Sequence, residues 1–320
     1  MQIVDKIKGD PSNRRLPDAG RPGLARGSTS FDVDTLTALA VLFGALLHAG
    51  WNTLVKSSGD KELDIALVHF LGAVVSLPLL AWVGPPPGPA WPFVAASLTI
   101  HIAYYLTLEG AYRHGDLAAT YPIMRGSAPL LVALGSSAVL GESLAPGAWL
   151  GVLAVTAGVL MVGLSHPGEA LHHRRALTFA LANACVIAAY TFVDGQGVRA
   201  SRDAGGATLS YVAVLFVLDG VPYPALVWFK RSAAARQAMW TYARKRWPLA
   251  TLGGLASLGS YGIALWAMTR APVASVAALR ETSVLFATVL GTVMLKEAFG
   301  WQRAIGTVVI VAGVMALRLA

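Results

Sequence analysis

The 320 residues are 55% hydrophobic and 13% charged, with a mean hydropathy of +0.59, whereas a soluble domain carries about 25% charged residues; a chain enclosed mostly by water is thereby excluded. The net charge of +8 gathers in an N-terminal tail and between apolar runs, and no basic surface is interleaved with aromatics, so membrane topology accounts for it and nucleic acid is set aside. The single cysteine, Cys185, excludes an intramolecular disulfide.

Residues 1–34 are polar and rich in Pro, Gly and Arg, and read as a disordered basic tail. The apolar run that follows starts too late and is too long for the core of a cleavable signal peptide. A helix needs roughly 20 apolar residues to cross about 30 Å of hydrocarbon. That length predicts spans near 35–55, 64–83, 91–112, 118–140 and 147–164, then 176–198, 208–229, 248–269, 273–295 and 302–319. Breakers divide them, among them GPPPGPA (84–90), SLAPG (143–147) and the basic stretch KRSAAARQAMWTYARKRW (230–247), read as a loop.

The two sets of spans are related. At a fixed offset Arg125 matches Arg280, Glu142 matches Glu297, Gly151 matches Gly306 and Gly158 matches Gly313; AGV recurs at 157–159 and 312–314. Each half, 35–164 and 176–320 on either side of a linker at 165–175, holds five spans, and an odd number inserts the second copy upside down. Many secondary transporters are built so, with the binding site near the midplane. The fold class expected is an all-α integral membrane protein, ten transmembrane helices in two inverted five-helix repeats. The glycines seven apart in spans 5 and 10 share one helix face, which predicts close packing of those two spans, since helices in lipid associate through small residues.

Charged and polar side chains inside a span are costly, at least about 2.5–3.5 kcal/mol for a charge at the centre. In span 1, His48, Asn52 and Lys56 share a face at i, i+4 spacing with Trp51 beside them; Lys56 snorkels from the membrane edge, and the other three turn to a hydrated cavity or to a neighbouring helix. Span 3 carries His101, Tyr105, Glu109 and Tyr112 on one face, with Tyr104 nearby. Span 4 holds Tyr121 and Arg125 between Pro122 and Pro129; Pro129 deprives the Arg125 carbonyl of its helical partner and predicts broken backbone there. Spans 6 to 9 add Tyr190 and Asp194, Asp219 beside Gly220, Tyr261, and Arg280 with Glu281. The two arginines thus face the acids Glu109, Asp194, Asp219 and Glu281; some pair structurally, and at least one arginine is expected to face the cavity and bind an anionic group. Adjacent on a helix, Arg280 and Glu281 point about 100° apart and are not each other's main partner. Trp91, Trp149, Trp247 and Trp301 read as interfacial belt residues. Glu142 and Glu297 are expected to accept backbone N–H groups where the next helix starts.

Taken together, LLHAGWNTLVK (46–56), EGAYRHGDLAATYPIMRGSAPLLVALGSSAVLGE (109–142), RETSVLFATVLGTVMLKE (280–297) and the paired GVLAVTAGV and GTVVIVAGV endings resemble the EamA-type members of the drug/metabolite transporter superfamily. The resemblance covers the chain from residue 35 onward. It implies a central cavity, alternating access, and termini on the cytoplasmic side of the cell (inner) membrane; the basic tail and the basic stretch at 230–247 stand on opposite faces and leave the positive-inside rule tied.

No HExxH, GxSxG, Walker loop or Cys/His cluster occurs, so no cofactor, no metal and no enzymatic role are expected. The function expected is a secondary active or facilitative transporter, an exporter, of a small polar or amphipathic metabolite or drug. The alternative is a membrane-embedded enzyme or flippase acting on lipid-linked substrates. Candidate substrate-binding residues are His48, Trp51, Asn52, Tyr105, Glu109, Tyr121, Arg125, Asp194, Tyr261 and Arg280. The partners expected are a small-molecule substrate, a proton as coupling ion, for which His48, Glu109, Asp194 and Asp219 are the candidate carriers, and the lipid bilayer, with the chain a monomer or weak homodimer.

Overall fold

Asp34 starts the first helix, α1 (Thr35–Lys56), by accepting the Thr37 N–H at 2.8 Å. Asp60 starts α2 (Lys61–Val83) by accepting that of Leu63 at 3.0 Å; each carboxylate satisfies an N–H that the helix itself leaves without a partner. α2 stops at Gly84, whose φ of 75° suits a residue without Cβ. The computed structural model describes residues 33–114, 117–163, 174–296 and 300–319. Almost all of the predicted tail, most of the 165–175 linker, Glu297 and the Tyr112 side chain lie outside the described residues.

The first half continues with α3 (Trp91–His114), α4 (Leu117–Gly135, followed by a π-helical turn at Ser136–Leu140) and α5 (Pro146–Gly163). The second half comprises α6 (Arg174–Asp203), α7 (Thr208–Asp219), α8 (Pro222–Lys230), α9 (Ala233–Met268), α10 (Val273–Arg280), α11 (Ser283–Leu295) and α12 (Trp301–Leu319). All regular structure among the described residues is helical. Among the described residues, nine helical stretches are long and apolar enough to cross a membrane. They correspond to every predicted span but 118–140, which is helical as α4.

Two expectations need correction. The stretch 230–247 is not a loop: from residue 233 it forms the first turns of α9, a continuous helix of 36 residues through Pro248. At about 1.5 Å per residue that helix is about 54 Å long, well beyond the hydrocarbon thickness, so its basic early turns stand clear of the apolar slab. The second correction concerns Pro129. Helix α4 runs through both Pro122 and Pro129, and the breaks fall in the second half instead, at Gly220–Val221 between α7 and α8 and at Glu281–Thr282 between α10 and α11. At the latter, Glu281 and Thr282 donate to the carbonyls of Ala278 and Leu279, three residues back rather than four, at 3.1 Å each.

The most extensive helix pairing is α5 with α12, as the glycine spacing predicts. A Cβ on Gly151 would stand 2.8 Å from the Gly313 carbonyl oxygen and one on Gly313 2.9 Å from that of Gly151; Gly158 and Gly306 are related the same way at 2.8 Å. Residue numbers rise along one helix as they fall along the other, so the two run antiparallel with backbones in contact. Elsewhere α3 packs on α6 and α1 on α9, while α4 packs on α6 and α1 on α10 and α11. Apolar side chains such as Leu36, Phe43, Phe70, Leu106, Leu150 and Val308 are exposed on the periphery, the arrangement expected where lipid is the solvent.

Candidate functional site

Helices α1, α2, α3, α4, α6, α7, α9 and α10 surround a cavity of about 180 Å³. From α1, His48 and Trp51 meet edge to face at 5.4 Å, and the Asn52 amide donates to the His48 carbonyl at 2.7 Å. The i, i+4 spacing read in the sequence therefore does put these three on one cavity-lining face. The Trp51 indole N–H is buried and has no hydrogen-bond partner among the described residues. From α3 and α6, His101 stacks on Tyr190 at 4.7 Å, with Tyr104 edge-on to Tyr190 at 6.2 Å. Tyr121 and Arg125 of α4, Tyr261 of α9 and Arg280 at the end of α10 complete one wall.

The charges sort into distinct arrangements. Arg125 pairs with Glu281 at 2.9 Å, both nearly buried, so this acid belongs to the arginine of the other half and not to its neighbour Arg280. Within the pair, Arg125 Nε and Glu281 Oε2 stay without hydrogen-bond partners among the described residues. Arg280 lies over the Tyr261 ring, 5.3 Å from its centroid, in a cation–π contact. Among the described residues no carboxylate lies within ion-pairing distance of it. The Tyr261 hydroxyl in turn donates to Asp194, which also accepts from Tyr211 at 3.0 Å. Asp194 is fully buried and does not line the cavity; it fixes the ring on which Arg280 rests.

Glu109 also lies outside the cavity, in a half-exposed ion pair with Lys230 at 2.9 Å. The remaining eight candidates line it: His48, Trp51, Asn52, Tyr105, Tyr121, Arg125, Tyr261 and Arg280. Sequence reasoning left out Ser257, Ser260 and, above all, His69; Asp219, read there as an acid of the spans but not as a substrate ligand, also lines the cavity, lies 3.7 Å from the His69 ring nitrogen and accepts from the Tyr105 hydroxyl at 3.0 and 3.1 Å. The signal for His69 was a lone histidine in the apolar run LVHFLG. No group of three or more His, Cys, Asp or Glu able to hold a metal occurs among the described residues.

Ion pairs join the halves at both ends of the helices. Arg231 bonds Asp60 at 2.7 and 2.9 Å and Glu62 at 3.1 Å, and Arg246 pairs with Asp64. The Arg231 hydrogen bonds hold the Asp60 carboxyl below its ordinary value, and those of Asp60 raise the guanidinium in turn. At the opposite end Glu142 accepts the Val273 N–H at 3.1 Å and pairs with Arg199 at 2.8 Å. It does accept at a helix start, but the helix is α10 of the other half rather than the next one, α5.

A model of the EamA-like transporter family matches residues 35–164 and, a second time, residues 174–319. Comparison with curated proteins finds no match. A crystal structure of a protein aligns with TM-score 0.67 over 89% of this chain and 96% of its own at 20% identity, a likeness of fold.

Proposed function

The chain belongs to the EamA-like transporter family, and on that premise we propose that this multi-pass membrane protein is a secondary active or facilitative transporter of a small metabolite with an anionic group, moved by alternating access. The observation that carries the substrate class is Arg280: it faces the cavity without an acidic partner among the described residues, on a ring held by Asp194. A fixed cation at the end of a broken helix, in a space of about 180 Å³ walled by aromatic side chains, suits a carboxylate, phosphate or phosphonate attached to a planar or apolar body. His48, Trp51, Asn52, Tyr105 and Tyr121 contact that body, while Arg125, held by Glu281, shapes the pocket.

The architecture proposed is ten spans in two inverted five-helix repeats, 35–164 and 176–320. Arg318 at the end of α12 donates to the Thr35 hydroxyl at the start of α1 at 2.7 Å, which supports an even number of crossings and so counts α4 as the tenth. The antiparallel seam of α5 and α12, which occupy equivalent places in the two matched segments, supports the inversion. So does the pairing of α3 with α6 and of α1 with α9, each the third span of one half against the first of the other. Both ends are assigned to the cytoplasmic face of the cell (inner) membrane, the orientation the family resemblance implies.

A thermal-shift screen of the purified protein against anionic and neutral metabolites tests the substrate class. Stabilising compounds are expected to be anions, and Arg280→Ala to weaken them by about 1.5–3 kcal/mol, the worth of hydrogen bonds to a charged group, or roughly 10- to 150-fold in Kd. Anions that bind Arg280→Ala as tightly as the parent protein would overturn the proposal.

A further inference from the structure

Among the described residues, Asp219 is the only carboxylate lining the cavity. Of the other acids, Asp64 has Arg246, Glu109 has Lys230, Glu142 has Arg199 and Glu281 has Arg125, while Asp194 is held by two tyrosine hydroxyls. Asp219 has no arginine or lysine within ion-pairing distance among the described residues; its cationic neighbour, when protonated, is His69 at 3.7 Å.

The backbone around Asp219 also favours positive charge. The residue ends α7, where helix carbonyls present the negative end of the dipole. Pro222 has no N–H to offer the carbonyl of Leu218, nor has Pro224 for that of Gly220. The groups that face the carboxylate come from three elements: His69 of α2, Tyr105 of α3 with His101 farther along the same helix, and Tyr223 of α8, whose ring lies 5.1 Å from that of Tyr105 and 5.9 Å from that of His69. Helices α6 and α9, which also pack on α7, bring no cation within ion-pairing distance of Asp219 among the described residues. The Tyr105 hydroxyl lies 3.3 Å from the His69 ring nitrogen and 3.0–3.1 Å from both Asp219 oxygens, so three groups that exchange protons stand in one hydrogen-bonded cluster.

Resting on the transporter function proposed above, we propose that the Asp219–Tyr105–His69 cluster, at the break in the seventh span, is the site at which the cavity takes up and releases a coupling proton. A proton from cavity water converts the ionised Asp219 carboxylate to the acid; Tyr105, which donates to the carboxylate, turns its hydroxyl, and the new O–H donates to Tyr105 Oη or to the neutral His69 ring nitrogen. Release returns the same proton to water and restores the carboxylate. A metal cation is a poorer occupant because it demands more oxygen ligands than this cluster offers. The proton is linked to substrate through charge: an ionised Asp219 repels an anion held at Arg280 and a neutral Asp219 does not, so proton and anion bind cooperatively.

Infrared difference spectra of the full chain in lipid, recorded as a function of pH, read the protonation without any substrate. Among the carboxylic-acid C=O bands of the parent protein, one that responds to pH is expected to be absent from Asp219→Asn and to reappear at a displaced frequency in Asp219→Glu, which serves also where the asparagine variant does not fold. His69→Gln should displace the midpoint of that band. A band unchanged in Asp219→Asn or Asp219→Glu, a midpoint indifferent to His69→Gln, or a band that follows sodium concentration at fixed pH would each overturn the proposal. Any of these leaves the transporter function standing, because that is tested by anion binding at Arg280; conversely, loss of the Arg280 result leaves the titration intact.

Discussion

Alanine at Gly158 tests the backbone contact that joins the halves. The added Cβ would stand 2.8 Å from the Gly306 carbonyl oxygen and 2.9 Å from the Ile310 nitrogen, about 0.6 Å inside the 3.4 Å at which ordinary contact begins. Ile310 Cγ1 stands nearer still, at 2.6 Å, and can turn away, but the carbonyl and the nitrogen are main chain, so no rotamer change relieves those contacts, and α5 and α12 have to separate along a seam of four glycines. Overpacking of this kind costs about 1–3 kcal/mol. Alanine also gains about 1 kcal/mol over glycine in helix propensity, and a reference is needed to remove that gain. Gly50→Ala supplies it: Gly50 lies in α1, and a Cβ added there would meet nothing within 4 Å. The difference in thermal unfolding between the two variants, measured on the purified chain in one detergent, isolates the clash. Gly158→Ala should melt below Gly50→Ala by the equivalent of about 1–3 kcal/mol. Adding Gly306→Ala should cost less than it does alone, because one separation of the helices relieves both contacts. If Gly158→Ala melts at or above Gly50→Ala, the backbone seam does not hold the halves together and the reasoning fails.

Removing one member of the Arg125–Glu281 pair, as Arg125→Ala or Glu281→Ala, strands a buried charge and should destabilise by about 3–5 kcal/mol, whereas Arg125→Met with Glu281→Leu should recover most of that; a double variant as unstable as either single one would refute the pairing. For Asp60 the folded carboxyl is held below its unfolded value by Arg231, so its contribution is full above about pH 4, the unfolded value, and is lost as pH falls through the folded one. With the Asp60 side chain 32% exposed, solvent screening keeps the effect below about 1 kcal/mol. Acid unfolding of Asp60→Asn should lack that component, and superimposable acid limbs for the parent and the variant would contradict it.

The sequence by itself determined what depends on neighbours along the chain. Apolar runs of membrane length, the glycines seven apart in spans 5 and 10, and the shared face of His48, Trp51 and Asn52 follow from the rise and period of one helix, and each appears in the structure at those residues. The extent of α9 was hidden because its first turns are basic and polar, and apolar content marks a helix only where lipid surrounds it. Only the tertiary structure decided which charges meet. Glu281 goes to Arg125 of the other half, Glu142 to the start of α10, Glu109 to Lys230 outside the cavity, and Asp194 to the ring beneath Arg280. It also brought His69 and Asp219, 150 positions apart in the chain, into one cluster with Tyr105. Those partnerships rest on the rotation and register of one helix against another, and no periodicity within a single helix encodes them.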